Sequence, residues 1–279
     1  MKPIPVVFHV GPLQIHTYGI GLAITFYVAY RYFERRLRRH GYPTDWVGEL
    51  FLWVIASAII GARAFHVATN WSYYGQQPGE IPMVWHGGLS SFGGLILAVP
   101  VALWVSHRRC PQLGVLRGLD LVAPVLLAAW AMGRLLGPQL MYAGGGHATS
   151  AWYGMAYAGQ PGNRVPVPLL QALEDGLTYL VLLAVEWRCA HDRQGQVRSN
   201  YPAGAVTATA MILWGVSRTL DERYLLGGGG NVGSLLVQGA GVALVLGGVL
   251  LAVGTARRWR RYLEGQPSSS PSLEGAARA

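Results

Sequence analysis

Charge is scarce in this sequence. Asp, Glu, Lys and Arg make up 13% of its 279 residues, where a soluble domain carries about 25%. That scarcity excludes an ordinary water-soluble globular domain. Acidic residues are rarer than basic ones, 13 against 22, which leaves a net charge of +9. The basic residues fall in short runs between apolar segments instead of coating a surface, which argues against nucleic acid as a partner. Cysteine is nearly missing. Cys110 and Cys189 both adjoin basic loops and no metal-ligand spacing links them, so they read as incidental reduced thiols. The first apolar segment follows a polar start and lacks a small-residue cleavage pattern, so no cleaved signal peptide is expected. No internal repeat is apparent, which weighs against a transporter.

Apolar residues are what the chain has in abundance, at 52% of the total. A helix needs about 20 mainly apolar residues to span the hydrocarbon core. Seven segments meet that pattern, at 14–33, 47–68, 89–106, 117–141, 167–187, 201–220 and 232–256. Arginine runs follow the first (Arg31, Arg35, Arg36, Arg38, Arg39), third (Arg108, Arg109), fifth (Arg188, Arg193, Arg198) and seventh (Arg257, Arg258, Arg260, Arg261) segments. The connection after the second has no Lys or Arg, and 142–165 holds only Arg164. The positive-inside rule then predicts an all-α integral membrane protein. It is a bundle of about seven transmembrane helices, with its N-terminus outside and C-terminus cytoplasmic. The transmembrane domain is expected over residues 1–262. A tail at 263–279, rich in Ser, Pro and Ala, is expected to be disordered.

That orientation puts several costly side chains at one depth. Arg63, Arg134 and Arg218 lie toward the outer ends of the second, fourth and sixth segments. His16 and Tyr18 begin the first, and Trp85, His86 and the run GGLSSFGG (Gly87 to Gly94) open the third. A charge near the membrane centre costs at least about 2.5–3.5 kcal/mol. A single arginine near a helix end can snorkel to the headgroups, and that reading stays open for Arg63 and Arg218 taken singly. Three at one depth call for a shared anion or carboxylate partners. Glu222, four residues after Arg218, is one such carboxylate. Guanidinium suits bidentate phosphate binding, which points to an anionic phospholipid headgroup in the outer leaflet. The glycines of GGLSSFGG would let backbone and a lipid approach closely.

Five motifs in order carry a resemblance. GPLQIHTYG (Gly11 to Gly19), GARAFHV with Arg63, WHGGLSSFGG, DLVAPVLLAAWAMGR (Asp120 to Arg134) and GVSRTLDER with Arg218 and Glu222 together resemble the prolipoprotein diacylglyceryl transferase family. The likeness runs to about residue 256. It implies transfer of the diacylglyceryl group from phosphatidylglycerol to the lipobox cysteine in the signal peptide of a preprolipoprotein, in the bacterial inner membrane. Phosphatidylglycerol, that signal peptide and the membrane are the implied partners, and no cofactor or metal is implied. Arg134, Arg218, His16 and Tyr18 fall at catalytic positions. Arg63, Trp85, Gly87, Gly88, Gly93, Gly94, Gly145, Arg164 and Glu222 fall at substrate-binding ones.

The chain also departs from the family pattern. Phe92 and Val165 stand where the family has histidine, Gly137 where it has asparagine, and Tyr142 at an acidic position. With those histidines gone, His16 is the best remaining general base, ahead of His86 and His147. The departures motivate an alternative, a catalytically impaired member that binds anionic lipid or a membrane partner. The glycine-broken helices leave a small transporter or channel as a third reading.

Overall fold

The computed structural model describes residues 7–10, 13–84, 90–137, 144–192, 194–198, 200–226 and 232–265. Among them are seven helices of 16 to 33 residues: α1 (Thr17–Arg39), α2 (Val47–Thr69), α4 (Ser91–Arg109), α5 (Val115–Leu136), α6 (Val167–Ala190), α7 (Ala205–Leu220) and α8 (Val232–Glu264). A one-turn helix, α3 (Trp71–Tyr74), follows α2, and a π-helical turn, Asp221–Leu225, continues α7. Two 3₁₀ turns, Pro78–Glu80 and Pro111–Leu113, and two short antiparallel pairs are also present. The pairs are β1 (Val7–Val10) with β2 (Leu13–His16), and β3 (Met155–Ala156) with β4 (Asn163–Arg164).

Each predicted apolar segment coincides with a helix, but four are long and apolar enough to cross a membrane: α2, α5, α6 and Ser234–Glu264 within α8. Two of the other three differ for physical reasons. Helix α1 gives its last turns to Arg31, Glu34, Arg35, Arg36, Arg38 and Arg39. Helix α7 has 16 residues, about 24 Å of rise against a core of about 30 Å. Boundaries shift too. The first segment begins as strand, since residues 14–16 pair in β2, and α8 runs on to Glu264 beyond the expected boundary at 262. Residues 266–279 lie outside the described residues.

The chain divides into two compact units, Met1–Asp175 and Gly176–Ala279, with the division inside α6. In the first, the end of α1 meets the start of α2, the end of α4 and the start of α5. Phe33, Leu37, Val47, Leu50, Val105, Leu113, Leu121 and Val125 form a buried cluster there. Cys110 belongs to it, and burial pushes its thiol up, which fits an inert packing residue. One arginine of the basic run turns inward: Arg36 is buried and its Nε donates to the Leu121 carbonyl at 2.8 Å. Arg109 pairs with Glu49 at 2.7 Å, joining the end of α4 to the first turn of α2.

Glycines set the helix crossings. A Cβ on Gly61 would lie 2.3 Å from the Gly93 carbonyl oxygen, and one on Gly93 would lie 2.2 Å from that of Gly61. Helices α2 and α4 therefore touch backbone to backbone. In the second unit α7 and α8 cross the same way, since a Cβ on Gly215 would meet the Gly241 oxygen at 2.6 Å. Lipid tails give little hydrophobic force between helices, so small residues that admit dispersion contact drive such pairs. The second unit also has an aromatic end. Arg198 sits over the Trp259 ring at 5.3 Å, and Tyr201 stacks on that ring at 6.3 Å.

Gly93→Ala is expected to destabilise the purified protein by about 1–3 kcal/mol, the usual cost of overpacking. Gly48→Ala, where a Cβ meets nothing within 4 Å, is expected to leave the thermal unfolding midpoint in detergent unchanged.

Candidate functional site

Arg63 sits on the inward face of α2, 6% exposed. Its Nε donates to the Ile81 carbonyl at 2.8 Å and its Nη2 to the Glu80 carbonyl at 2.6 Å, while its guanidinium carbon lies 5.1 Å from the centre of the Tyr74 ring. The guanidinium thus folds residues 71–82 back as a strap over the C-terminal end of its own helix. Tyr73 tightens the fold through a 3.0 Å hydrogen bond from its hydroxyl to Glu80, whose carboxylate raises the phenol's pKa. Between this strap and α2 runs an apolar groove of about 560 Å³, lined by Ile59, Ile60, Ala64, Val67, Trp71 and Val84, with Arg63 in its wall.

Beside this lies the end of GGLSSFGG. Gly93 and Gly94 face α2 at the crossing, where a Cβ on Gly94 would come within 3.2 Å of the Ala58 carbonyl oxygen. Their immediate neighbours belong to α2: the backbone of Gly61 and Ala58 and the Cβ atoms of Phe65 and Ala62. The Ser90 N–H donates to the Ala62 carbonyl at 3.1 Å, fastening the entry of α4 next to Arg63. Trp85, His86, Gly87 and Gly88 lie outside the described residues, as does the side chain of Phe92. His16 ends β2 and Tyr18 lies in the first turn of α1; their side chains are likewise outside what is described.

Arg134 occupies the last turn of α5, half-buried. The helix stops three residues later at Gly137, which is extended (ψ 177°). A Cβ there would lie 2.2 Å from the Gly133 oxygen. The family's asparagine therefore has no room at this turn without a backbone shift. Tyr142 is outside the described residues.

Residues 144–166 form a small clasp. Gln160 donates to the Gly145 carbonyl at 3.0 Å and accepts from the Gly145 N–H at 2.9 Å, a reciprocal amide pair. Gly145 is fitted tightly: a Cβ would lie 2.7 Å from the Tyr157 ring and 2.8 Å from Arg164. Arg164 donates to the Gly146 carbonyl at 3.0 Å. Val165, at the family's histidine position, is buried and hydrogen-bonded through its backbone to Gly146 and His147. Tyr157 is buried beneath the clasp, and burial raises its phenol's pKa, which keeps it protonated at neutral pH. The structure thus brings Gly145 and Arg164 together, whereas Arg63 turns to the Glu80 and Ile81 carbonyls and Gly93 to Gly61 and Phe65.

Arg218 belongs to the second unit, in the last turn of α7 and 9% exposed. Its Nη2 lies 3.0 Å from Oδ2 of Asp221, which is itself buried, and its guanidinium carbon lies 5.7 Å from the centre of the Trp214 ring. Glu222 is partly buried in the π-helical turn that Asp221 opens. Asp221 is the functional candidate that sequence reading missed. Positions i+3 and i+4 are both neighbours on a helix surface, so spacing alone does not choose between Asp221 and Glu222. Gln160 was missed for a different reason: it acts on backbone 15 residues away, and nothing local marks it.

Two comparisons bear on these positions. The family model for prolipoprotein diacylglyceryl transferase matches residues 5–257. Proteins named phosphatidylglycerol–prolipoprotein diacylglyceryl transferase are similar over shorter stretches. The one from Lactiplantibacillus plantarum is 30% identical over 210 residues, 71% of this chain and 73% of its own. That from Lysinibacillus sphaericus is 34% identical over 130 residues, and that from Bacillus velezensis 38% over 134; each match spans 47% of both chains. For these last two the chain spans about half the relative's length. With the model matching from residue 5 to residue 257, the chain belongs to the prolipoprotein diacylglyceryl transferase family.

Proposed function

We propose that this protein transfers the diacylglyceryl group of phosphatidylglycerol to the lipobox cysteine of preprolipoproteins. It does so as a multi-pass protein of the bacterial inner membrane, with seven spans, the N-terminus outside and the C-terminus cytoplasmic. The observation that carries the reading is Arg218: a guanidinium 9% exposed near the end of an apolar helix, in a chain of this family. The relatives' names supply the substrates.

The chemistry follows from the bonds. The lipobox sulfur attacks the glyceryl carbon that bears the phosphate, forming S–C as C–O breaks. The bonding pair stays on the phosphate oxygen, and glycerol 1-phosphate leaves with an added negative charge. Arg134 and Arg218 serve that charge, since preorganised cations act most strongly where water is excluded. The thiol proton must also go. A thiol of pKa about 8.5 is only a few per cent ionised near neutrality, and a general base typically contributes about 10²–10⁴-fold. His16 is the base in this reading. Arg63 shapes the site through its strap, and the clasp at Gly145 and Arg164 flanks the outer end of α6.

Arg134→Ala and Arg218→Ala are each expected to lower kcat/KM for transfer of labelled diacylglycerol onto a lipobox peptide by at least about 10²-fold. Lysine at either position should restore only part of it, because a point charge cannot form the bidentate fork. Phosphatidylglycerol binding by the wild-type protein without any labelled product would overturn the transferase reading in favour of a lipid-binding one. Arg63→Ala is expected to act through stability, costing about 1–3 kcal/mol for the carbonyls it leaves unsatisfied. That loss is read as a lower unfolding midpoint and faster proteolysis within residues 71–84.

A further inference from the structure

The pairing of Arg218 has a chemical consequence beyond the reaction. A buried guanidinium intended for a phosphodiester must be tolerated when no phosphodiester is there. An uncompensated cation in an apolar helix bundle is strongly unfavourable, and removing one partner of a buried ion pair leaves that situation behind. Asp221 meets the need. Its Oδ2 lies 3.0 Å from Nη2 of Arg218, with the two side chains only 10% and 4% exposed. The pair spans three residues at a helical irregularity. Asp221 opens a π-helical turn, in which the Leu226 N–H donates to the Asp221 carbonyl at 3.0 Å. Such turns interrupt regular helix at some cost and are frequent at functional sites. The Trp214 ring, one turn back, lies with its centre 5.7 Å from the guanidinium carbon.

The geometry points to Asp221 as an internal counter-ion that holds Arg218 in place of an anionic lipid and competes with the lipid phosphodiester for it. This rests on the assignment of Arg218 to the lipid phosphate. Asp221 is a positioning residue: it keeps the guanidinium oriented along α7 and fixes how much of the site's charge a ligand meets. With Oδ2 of Asp221 3.0 Å from Nη2, part of the cation's charge is already neutralised, so a phosphodiester approaching Arg218 competes with the carboxylate for that charge. The arrangement narrows the preference for anionic over zwitterionic headgroups, since the carboxylate opposes a net negative charge more than a headgroup that carries its own cation. It also weakens retention of the lipid, a useful property in a site that must clear a phosphate-bearing product.

The test measures binding of short-chain phosphatidylglycerol and short-chain phosphatidylcholine to the full-length protein in detergent. Free glycerol phosphate is a third ligand, to separate a lipid headgroup from a soluble phosphate. Asp221→Asn is expected to bind phosphatidylglycerol about tenfold tighter or more than wild type, the direction and scale expected when a close charge partner is removed. Phosphatidylcholine affinity should change little. In Arg218→Gln/Asp221→Asn the gain should vanish. A folded Asp221→Asn protein with unchanged or weaker phosphatidylglycerol binding would overturn the inference, and a gain for glycerol phosphate alone would reassign the site to a soluble anion. Should the variant fail to fold, the wild type answers by isotope-edited infrared spectroscopy with ¹³C-aspartate. Phosphatidylglycerol, and not phosphatidylcholine, should shift a carboxylate stretch, and an unchanged spectrum overturns the inference. Neither measurement reads transfer. A protein that binds in this pattern yet makes no product loses only the transferase reading, and one that transfers with Asp221→Asn binding unchanged loses only this inference.

Discussion

Burying a guanidinium is the constraint on which this structure turns. An arginine taken out of water must be met by oxygen, and each deeply buried arginine meets it differently. Arg36 reaches across to the Leu121 carbonyl of α5. Arg63 takes two carbonyls, of Glu80 and Ile81, and pulls a strap over its own helix. Arg218 has a carboxylate beside it, with Oδ2 of Asp221 3.0 Å from its Nη2. Carbonyl partners leave the net positive charge in place, whereas a carboxylate cancels it. The same side-chain type therefore acts as a staple between helices, as the knot of a strap and as a compensated charge.

The second constraint is steric. Helices in a bilayer gain little from burying apolar surface against each other, so contact depends on how near their backbones come. Gly61 with Gly93, and Gly215 with Gly241, bring main chains together at two crossings, one in each unit. The crossing at Gly93 and the strap knot at Arg63 occupy neighbouring turns of the α2–α4 pair. Packing and site geometry are thus coupled: widening the crossing would move the helix that bears the strap.

Much of this was legible from the sequence, for reasons that differ by feature. Apolar length and composition located seven long helices, and among the described residues four of them are long and apolar enough to cross the hydrocarbon core. They did not fix the helix ends. Strand pairing at 13–16 and the overrun of α8 to Glu264 depend on partners that hydropathy does not register. Arg63, Arg134 and Arg218 stood out because a charge in an apolar segment needs a reason. The partners of Arg63 did not, since carbonyl oxygens exist at every residue and only the folded strap selects Glu80 and Ile81. GGLSSFGG reads as room for close approach, and its last two glycines meet α2 closely. Asp221 was hidden by a tie between two acidic neighbours of Arg218.

Helix α8 has 33 residues, close to 50 Å of rise where the hydrocarbon is about 30 Å thick. Roughly four turns must stand clear of the oily layer or lean within it. Its final turns carry Arg257, Arg258, Trp259, Arg260 and Arg261, and Trp259 is gripped by Arg198 and Tyr201 from the preceding loop. Such a rod behaves as a mast stepped in a deck: its tilt responds to bilayer thickness, and the stacked aromatic collar at its foot carries that tilt to the loop ahead of α7.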